Sequence, residues 1–169
     1  RRLMKNLFCL GAVLVCLAGC ASPSYPGGWP SPASGINEWA DAITGHKVIR
    51  LSRRDGANQV FYFHQNPFTE TGDKMAFMGD AEQGRCAFTV DFNTLDVRQV
   101  TTVNTGFEVV APKSRILYYL SGDQVFGTHL DTLETREIAQ VPPHYKWGRG
   151  LSVNADETLL AGCYCMGEE

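Results

Sequence analysis

Short runs of apolar residues, separated by polar turns, follow one another along most of this chain, a pattern typical of β-strands. The aromatic and aliphatic residues over positions 59–65 predict a strand, and Asn66 and Pro67 predict a break after it. A turn over residues 69–73 then leads into a second apolar strand that begins near Met75. No useful length of this region has the period of a helix, so the pattern predicts an all-β fold.

The two faces of the strand predicted over residues 59–65 are both apolar. Val60 and Tyr62 would point to one side of it, and Phe61 and Phe63 to the other. We therefore expect neighbouring sheets to cover both faces, so that neither face meets solvent.

An internal repeat supports the same class. The segment from Phe88 to Arg98 recurs 38 residues later, from Phe126 to Arg136, and a third copy begins at Asn154. In each complete copy a strand ends in a polar turn and another strand begins. Short strands that recur about every 40 residues are typical of the sheets, or blades, of a β-propeller. A β-sandwich is the alternative, although it does not demand such a repeat.

The repeats predict part of a propeller. Residues 47–169 hold two complete blades and the start of a third, so two to three blades in all, whereas propellers close with roughly four to eight. A last blade that stops after its first strands exposes an apolar face and an unpaired strand edge. We expect this chain to be the N-terminal part of a longer propeller.

Residues 1–19 have the pattern of a bacterial lipoprotein signal. Lys5 precedes an apolar run of about a dozen residues, which is shorter than the roughly 20 that span a membrane. Leu17, Ala18 and Gly19 before Cys20 resemble a lipobox; an ordinary signal peptide that contains a cysteine is the alternative. We expect lipid on Cys20 to anchor the protein to a membrane of the bacterial cell envelope, the outer membrane or one facing the periplasm.

The composition and net charge of the chain limit the kinds of partner that it can bind. Residues 20–40 form a tether rich in Pro, Gly and Ser, and residues 41–169 are sufficient for one folded domain. The net charge is −3, so no basic field points to nucleic acid. A polyanionic substrate would have to be met by local Arg and Lys side chains.

Three segments resemble the oligogalacturonate lyases, which form polysaccharide lyase family 22. They are Thr-Gly-His at 44–46, the aromatic segment 62–68, and Asn-Ala-Asp-Glu-Thr-Leu-Leu-Ala-Gly at 154–162. The resemblance implies a seven-bladed propeller that cleaves pectin-derived oligogalacturonides by β-elimination and leaves an unsaturated uronate end. Some members have a His-Arg pair where this chain has Gln59 and Val60.

A uronate lyase must remove the C5 proton, which a cation on the neighbouring carboxylate acidifies, so it needs a base and a metal or Arg. The family implies manganese held by a His-rich cluster with a Gln, and a further His as base. No matching motif occurs between residues 47 and 169. We therefore assign no catalytic or metal-binding residue here, expect the ligands beyond Glu169, and expect this chain alone to be inactive.

Two groups of residues are candidates for substrate binding. His64 and Gln65 lie in the segment most similar to the family and could contact sugar hydroxyls, although a structural role within a sheet is the simpler interpretation. Tyr145, Trp147 and Arg149 are predicted in a loop between the second and third blades, where rings could stack on a sugar and Arg149 could pair with a carboxylate. Packing and solvation of a loop is the alternative for this second group.

Two other functions remain open at this stage. The chain could be part of a non-catalytic propeller scaffold similar to TolB, or the propeller of a prolyl-peptidase-like hydrolase. A cluster of His residues with a Gln elsewhere in the protein favours the lyase, and a Gly-x-Ser-x-Gly segment in a further domain favours the hydrolase.

Overall fold

The structure, a computed structural model, describes residues 37–166, with the side chains of Phe107 and Arg149 left out. These residues form β-strands and contain no α-helix. The strands are β1 Glu38–Ala40, β2 Lys47–Ile49, β3 Asn58–Gln59, β4 Lys74–Ala81, β5 Gly84–Asp91, β6 Val97–Gln99, β7 Gly106–Ala111, β8 Ile116–Ser121, β9 Gln124–His129, β10 Thr135–Gln140, β11 Tyr145–Val153 and β12 Leu160–Met166. The predicted all-β class is confirmed.

The segments predicted to direct export lie outside this range. The predicted signal sequence, Cys20 and most of the predicted tether fall within residues 1–36, which the structure does not describe. Over residues 37–166, the structure has no helix with the length and apolar character that a membrane span requires.

Consecutive strands pair antiparallel, in the order of the chain. Strands β3 to β6 form a four-stranded meander, here called the first sheet, and β7 to β10 form the second sheet. Strands β1 and β2 form the N-terminal hairpin, and β11 and β12 form the C-terminal hairpin. Two four-stranded sheets followed by a pair of strands is the arrangement that the sequence repeat predicts.

Strand β8 shows how the sheets are stacked. Leu117 and Tyr119 point into a core shared with the first sheet, where they meet Ala76 and Met78. Tyr118 and the other residues on the opposite face pack instead in a cluster with Leu151 of the C-terminal hairpin. Complete burial of a side chain such as Leu117 contributes about 1.5–3 kcal/mol to stability. The prediction that both faces of these sheets are covered is confirmed for β8.

The strand predicted over residues 59–65 is wrong. Strand β3 ends at Gln59, and residues 62–65 form a tight turn closed by a hydrogen bond from the Gln65 N–H to the Tyr62 carbonyl, 2.8 Å. Tyr62 and Phe63 are 65% and 86% exposed, so the expectation that neither face meets solvent fails here. The physical reason is the hydrogen bond from Gln65 to the Glu108 carbonyl of β7, which holds the turn away from β4. The chain rejoins β4 at Pro67, whose carbonyl accepts the Ala76 N–H at 2.8 Å.

The turns β5–β6 and β9–β10 have the same conformation, as the repeat predicts. Leu95 and Leu133, which are 38 residues apart, both have a left-handed backbone, with φ of 62° and 64°. The N–H of Leu95 donates to the Asp91 carbonyl, and the N–H of Leu133 donates to the His129 carbonyl. A positive φ is uncommon for a residue such as leucine, so both residues depend on the surrounding turn to hold this conformation.

The N-terminal hairpin contains a third copy of this turn. Gly45 has φ of 70° and its N–H donates to the Asp41 carbonyl, 2.8 Å. The three copies share a threonine one residue before the left-handed position: Thr44, Thr94 and Thr132. Each hydroxyl oxygen accepts the N–H two residues later, at 3.2–3.3 Å. The sequence comparison missed this copy because its spacing differs from 38.

The C-terminal hairpin ends at an exposed edge. Residues 161–166 of β12 are all exposed, with Tyr164 at 51% and Met166 at 76%. Strand β12 pairs with β11 on one side in the part of the chain that the structure describes. An apolar strand at an open edge is the arrangement that the sequence predicts for the third repeat.

Candidate functional site

A cavity of about 310 Å³ lies where the aromatic segment meets the first strands of the second sheet and of the C-terminal hairpin. Its lining consists of His64, Gln65, Asn66, Val109, Val110, Pro112, residues 151–155 and Glu157. Strands β7 and β11 supply two walls because they pack side by side, each as the edge strand of its sheet. The cavity therefore has polar side chains from the aromatic segment, from the end of β11 and from the turn after it, and apolar ones from β7. It contains two of the five residues predicted to bind substrate, His64 and Gln65.

Gln65 fixes one wall of this cavity. Its Nε2 donates to the Glu108 carbonyl of β7 at 2.7 Å, and its Oε1 accepts the N–H of Tyr62 at 3.2 Å. Both ends of the side-chain amide are therefore occupied by backbone groups. The geometry favours a structural role for Gln65 over contact with sugar hydroxyls, because its amide joins the aromatic turn to β7 of the second sheet.

His64 lies in the same turn but is exposed. Its ring contacts the rings of Tyr62 and Phe63, with centroids 5.1 and 5.5 Å apart, both edge to face. The rings of Tyr62 and Phe63 are 4.5 Å apart. The structure thus places His64 at the cavity, next to two exposed aromatic rings.

The opposite wall is held by Glu157, which has φ of 60° in the β11–β12 turn. Its carboxylate accepts the N–H groups of Lys113 and Ser114, both at 2.7 Å. Burial alone would raise the pKa of Glu157, but these hydrogen bonds outweigh it and lower the pKa below its usual value. Lys113 Nζ also donates to the Ala155 carbonyl, so the C-terminal hairpin is attached to the second sheet at this wall.

The predicted inter-blade loop around Tyr145, Trp147 and Arg149 is wrong in its secondary structure. All three residues belong to strand β11 and pair with β12, in a ladder that has two register shifts around Arg149. Gly148 and Gly150 flank Arg149 in this irregular part of β11. Arg149 precedes the residues of β11 that line the cavity, which begin at Leu151. Pro142 and Pro143 end the loop earlier than predicted.

Trp147 is not part of the cavity that contains His64. Its ring packs beside Gly162 and contributes to a second cavity of about 210 Å³, between β11–β12 and the outer strands of the second sheet. Its Nε1 is buried and has no hydrogen-bond partner in the described part of the chain. Tyr145 is 38% exposed and its ring lies edge to face on Tyr164, 5.0 Å away. The structure therefore separates these rings from His64 and Gln65.

The described residues do not form a metal site. Across residues 37–166, no three His, Cys, Asp or Glu side chains lie close enough together to hold an ion. His64 stands among aromatic and amide side chains, and Glu157 is occupied by backbone N–H groups. This donor set is suited to hydrogen bonding with a polar ligand.

The sequence reasoning did not select several residues that belong to this site. Ser152 and Asn154 line the cavity because β11 runs along it, and Tyr62 and Phe63 are exposed because residues 62–65 turn. The sequence carried no local signal for this turn, because Gln65 is held by the Glu108 carbonyl of β7, which is distant in the chain.

Comparison with known proteins gives a consistent family. The sequence model described as oligogalacturonate lyase matches residues 33–169. An oligogalacturonate lyase of Dickeya dadantii is 29% identical over 131 residues, and an oligogalacturonide lyase of Pectobacterium atrosepticum is 28% identical over the same length. These alignments cover 75% of this chain and 34% of each relative. The chain thus spans about a third of the length of the curated relatives it matches.

Solved structures agree with the sequence matches. The crystal structure of an oligogalacturonate lyase from Vibrio parahaemolyticus superposes with a TM-score of 0.68 at 26% identity. An oligogalacturonate lyase in complex with manganese superposes with a TM-score of 0.66 at 30% identity. Each superposition covers 76% of this chain and 35% of the solved one.

Proposed function

This chain belongs to the oligogalacturonate lyase family, and we propose on that premise that the complete protein cleaves oligogalacturonides by β-elimination. The observation that carries the proposal is the family match over residues 33–169, which includes every described strand. The structural similarity to two lyases, at identities of 26% and 30%, supports it.

We propose that the described residues contribute to substrate binding. The cavity beside β7 and β11 offers the polar side chains of His64, Asn66 and Ser152, which can form hydrogen bonds with sugar hydroxyls. Arg149 precedes the cavity-lining part of β11, and its pairing with a uronate carboxylate stays a prediction. Substrate binding by Tyr145 and Trp147 likewise stays a prediction, and the packing of their rings on the C-terminal hairpin does not favour it.

We propose manganese as the metal of the complete protein, because one of the solved relatives is in complex with it. The described residues do not fit a metal site, since they bring no three suitable ligands together. We propose that this part of the chain binds and orients the sugar through the cavity that contains His64.

We propose that the two four-stranded sheets are consecutive blades of a seven-bladed β-propeller. Their burial on both faces, their equal topology and their shared turn support this proposal. Because the β1–β2 turn repeats the turn between the third and fourth strands of each sheet, we also propose that the N-terminal hairpin forms the outer strands of a further blade.

We propose that the protein is anchored in the bacterial cell envelope by lipid on Cys20. The apolar run before Cys20 and the Pro-, Gly- and Ser-rich segment after it support this. Metabolic labelling with a fatty acid tests the proposal: incorporation should disappear in Cys20→Ala, and equal labelling of that variant would contradict it.

An absorbance assay tests the lyase. Complete protein supplied with manganese and digalacturonate should form an unsaturated uronate, which absorbs ultraviolet light, and chelation of the metal should stop the reaction. Folded, manganese-loaded protein that produces no absorbance would overturn the proposal. If such a protein produces no absorbance but cleaves peptides, the prolyl-peptidase-like hydrolase is favoured. If it has neither activity, the non-catalytic scaffold is favoured.

A further inference from the structure

The turn at residues 62–65 exposes an aromatic cluster that the proposed reaction does not yet explain. Tyr62 and Phe63 are 65% and 86% exposed, and their ring centroids are 4.5 Å apart. The third ring of the cluster is His64, which also lines the cavity of about 310 Å³. Large apolar rings that face solvent together indicate a binding surface.

The backbone of this turn is held at both of its ends. Phe61, immediately before it, is 7% exposed and belongs to the core between the first and second sheets. Gln65, at its other end, is joined to Tyr62 by two hydrogen bonds and to the Glu108 carbonyl by a third. A surface anchored at both ends loses little conformational entropy when a ligand binds.

We propose that Tyr62 and Phe63 form a stacking surface for a galacturonate ring, with the polar groups of the adjacent cavity binding its hydroxyls; this inference rests on the proposed function. In a galacto-configured pyranose the 4-oxygen is axial, so the hydrogens on C3, C4 and C5 share one apolar face. Those hydrogens carry partial positive charge and are attracted to the negative face of an aromatic ring. In a gluco-configured ring the hydrogen on C4 lies on the other face, so the apolar patch is broken.

The neighbouring groups favour a sugar over another apolar partner. The cavity presents the short polar side chains of Asn66 and Ser152. The Asn66 Oδ1 already accepts the Phe68 N–H at 3.1 Å, so its Nδ2 can donate to a ligand, and the Ser152 hydroxyl can both donate and accept. An apolar surface beside amide and hydroxyl groups matches a ring that has one apolar face and a polar rim. The cavity volume also falls within the range of small-ligand sites, about 300–1,000 Å³.

Binding of monosaccharides tests this surface without turnover, because neither sugar has a 4-linked leaving sugar. Complete, manganese-loaded protein is titrated calorimetrically with D-galacturonate and with D-glucuronate. We expect it to bind galacturonate more tightly, and we expect the double variant with Tyr62→Ala and Phe63→Ala to lose about tenfold in galacturonate affinity and most of that preference. Phe63→Tyr, which keeps the ring, should retain both.

Tyr164→Ala is the matched control, since Tyr164 is an exposed aromatic residue that does not line this cavity. It should leave both affinities unchanged. A folded double variant that binds both sugars like the unmodified protein overturns the inference, as does an unmodified protein that binds neither. If the protein binds galacturonate through these rings but forms no unsaturated product, the stacking surface stands and the lyase proposal fails.

Discussion

Arg115 of the second sheet and Asp73 of the first sheet form a two-pronged ion pair across the boundary between the sheets. The Arg115 Nη1 and Nη2 atoms lie 2.8 and 2.9 Å from the two oxygens of the Asp73 carboxylate. The Arg115 Nε also donates to Asp131, which in turn accepts from Lys74 of the first sheet. One guanidinium therefore connects two carboxylates at the rim where both sheets turn.

Arg115→Lys should destabilise the chain, because a lysine ammonium cannot make the two parallel hydrogen bonds to Asp73 and also reach Asp131. The side chains are 23–34% exposed, so solvent weakens the effect, and we expect a loss of about 1–2 kcal/mol in the free energy of unfolding. Denaturant titration of the full chain measures it. Arg53→Lys, at an exposed position, is the control and should change little. An equal stability of both variants would contradict the role of the ion pair.

The same cluster predicts an acid limit on stability. Hydrogen bonds from Arg115, Thr69 and Thr71 lower the pKa of Asp73 far below its ordinary 3.8, and Arg115 lowers the pKa of Asp131. Because both pKa values are lower in the folded chain than in the unfolded one, the unfolded chain binds more protons in acid. The stabilisation is complete above about pH 4 to 5 and is lost as the pH falls further.

Unfolding free energies measured between pH 3 and 7 check this dependence. The unmodified chain should lose stability steadily below about pH 4. A variant with Asp73→Asn and Asp131→Asn should be less stable at pH 7 and should depend less on pH in that acid range. A double variant with the same acid slope as the unmodified chain would show that other carboxylates cause the loss.

The side chain of His129 accepts backbone N–H groups in its turn, as the side chain of Asp91 does 38 residues earlier in the equivalent turn. The Nδ1 of His129 accepts the N–H groups of Asp131 and Thr132 at 3.2 and 3.4 Å, as the Asp91 carboxylate accepts those of Asn93 and Thr94. We expect His129→Ala to cost about 1 kcal/mol, since two turn N–H groups lose their acceptor.

His129→Asn provides the comparison that isolates the acceptor. An asparagine keeps an oxygen at this position and, unlike an aspartate, adds no charge beside Asp131, whose carboxylate lies 4.0 Å from the His129 ring. The Asn variant should be within about 0.5 kcal/mol of the unmodified chain by denaturant titration. If the Ala and Asn variants are equally destabilised, packing of the imidazole and not hydrogen bonding explains the residue.

The turns show what the sequence could predict. Identical neighbouring residues align Leu95 with Leu133 in the repeat. The hydrogen bonds that fix such a turn are local and depend on few residues, so the prediction of two equivalent turns is confirmed. The arrangement around Gln65 could not be read in the same way, because its partner is the Glu108 carbonyl, 43 residues away in the chain. A backbone carbonyl carries no sequence signal, so the apolar run over residues 59–65 predicts a strand where the structure has a turn.

The candidate site shows the same division. His64 and Gln65 were found because they lie beside a recognisable motif, whereas Ser152 and Asn154 reach the cavity because β11 packs beside β7. Trp147 and Tyr145 had the composition of a sugar site, but alternation along β11 places them on the hairpin. Composition predicts what a side chain can do, and strand pairing decides which cavity it reaches.

Gly162 is required by the ring of Trp147. A Cβ at position 162 would lie 2.3 Å from Cζ2 and 2.4 Å from Cη2 of Trp147, and a rigid indole cannot move aside without disturbing its packing. Gly162→Ala should therefore cost about 1–3 kcal/mol in unfolding free energy. Gly106→Ala is the control, because a Cβ there meets no atom within 4 Å and the backbone is not left-handed. Similar losses of unfolding free energy in Gly162→Ala and Gly106→Ala would mean that the loss of a flexible glycine in a strand, and not the clash with Trp147, causes the destabilisation.

Gln65 is the positioning residue of the aromatic turn, and its amide can be changed without changing its shape. Gln65→Glu replaces the Nε2 donor by an oxygen, which would face the Glu108 carbonyl at the 2.7 Å now spanned by a hydrogen bond. Two acceptors at that distance repel, so the turn should detach from β7. Amide hydrogen exchange at residues 62–65 should accelerate, and galacturonate affinity should fall about threefold or more while the rings themselves are intact.

A second glutamine controls for the change in net charge of the protein. Gln83→Glu introduces the same carboxylate at an exposed position in the β4–β5 turn and should leave both hydrogen exchange and affinity unchanged. Faster exchange in Gln65→Glu with undiminished affinity would show that the sugar does not need an ordered turn. Protected amides in that variant would show instead that Glu108 is not what holds residues 62–65 in place.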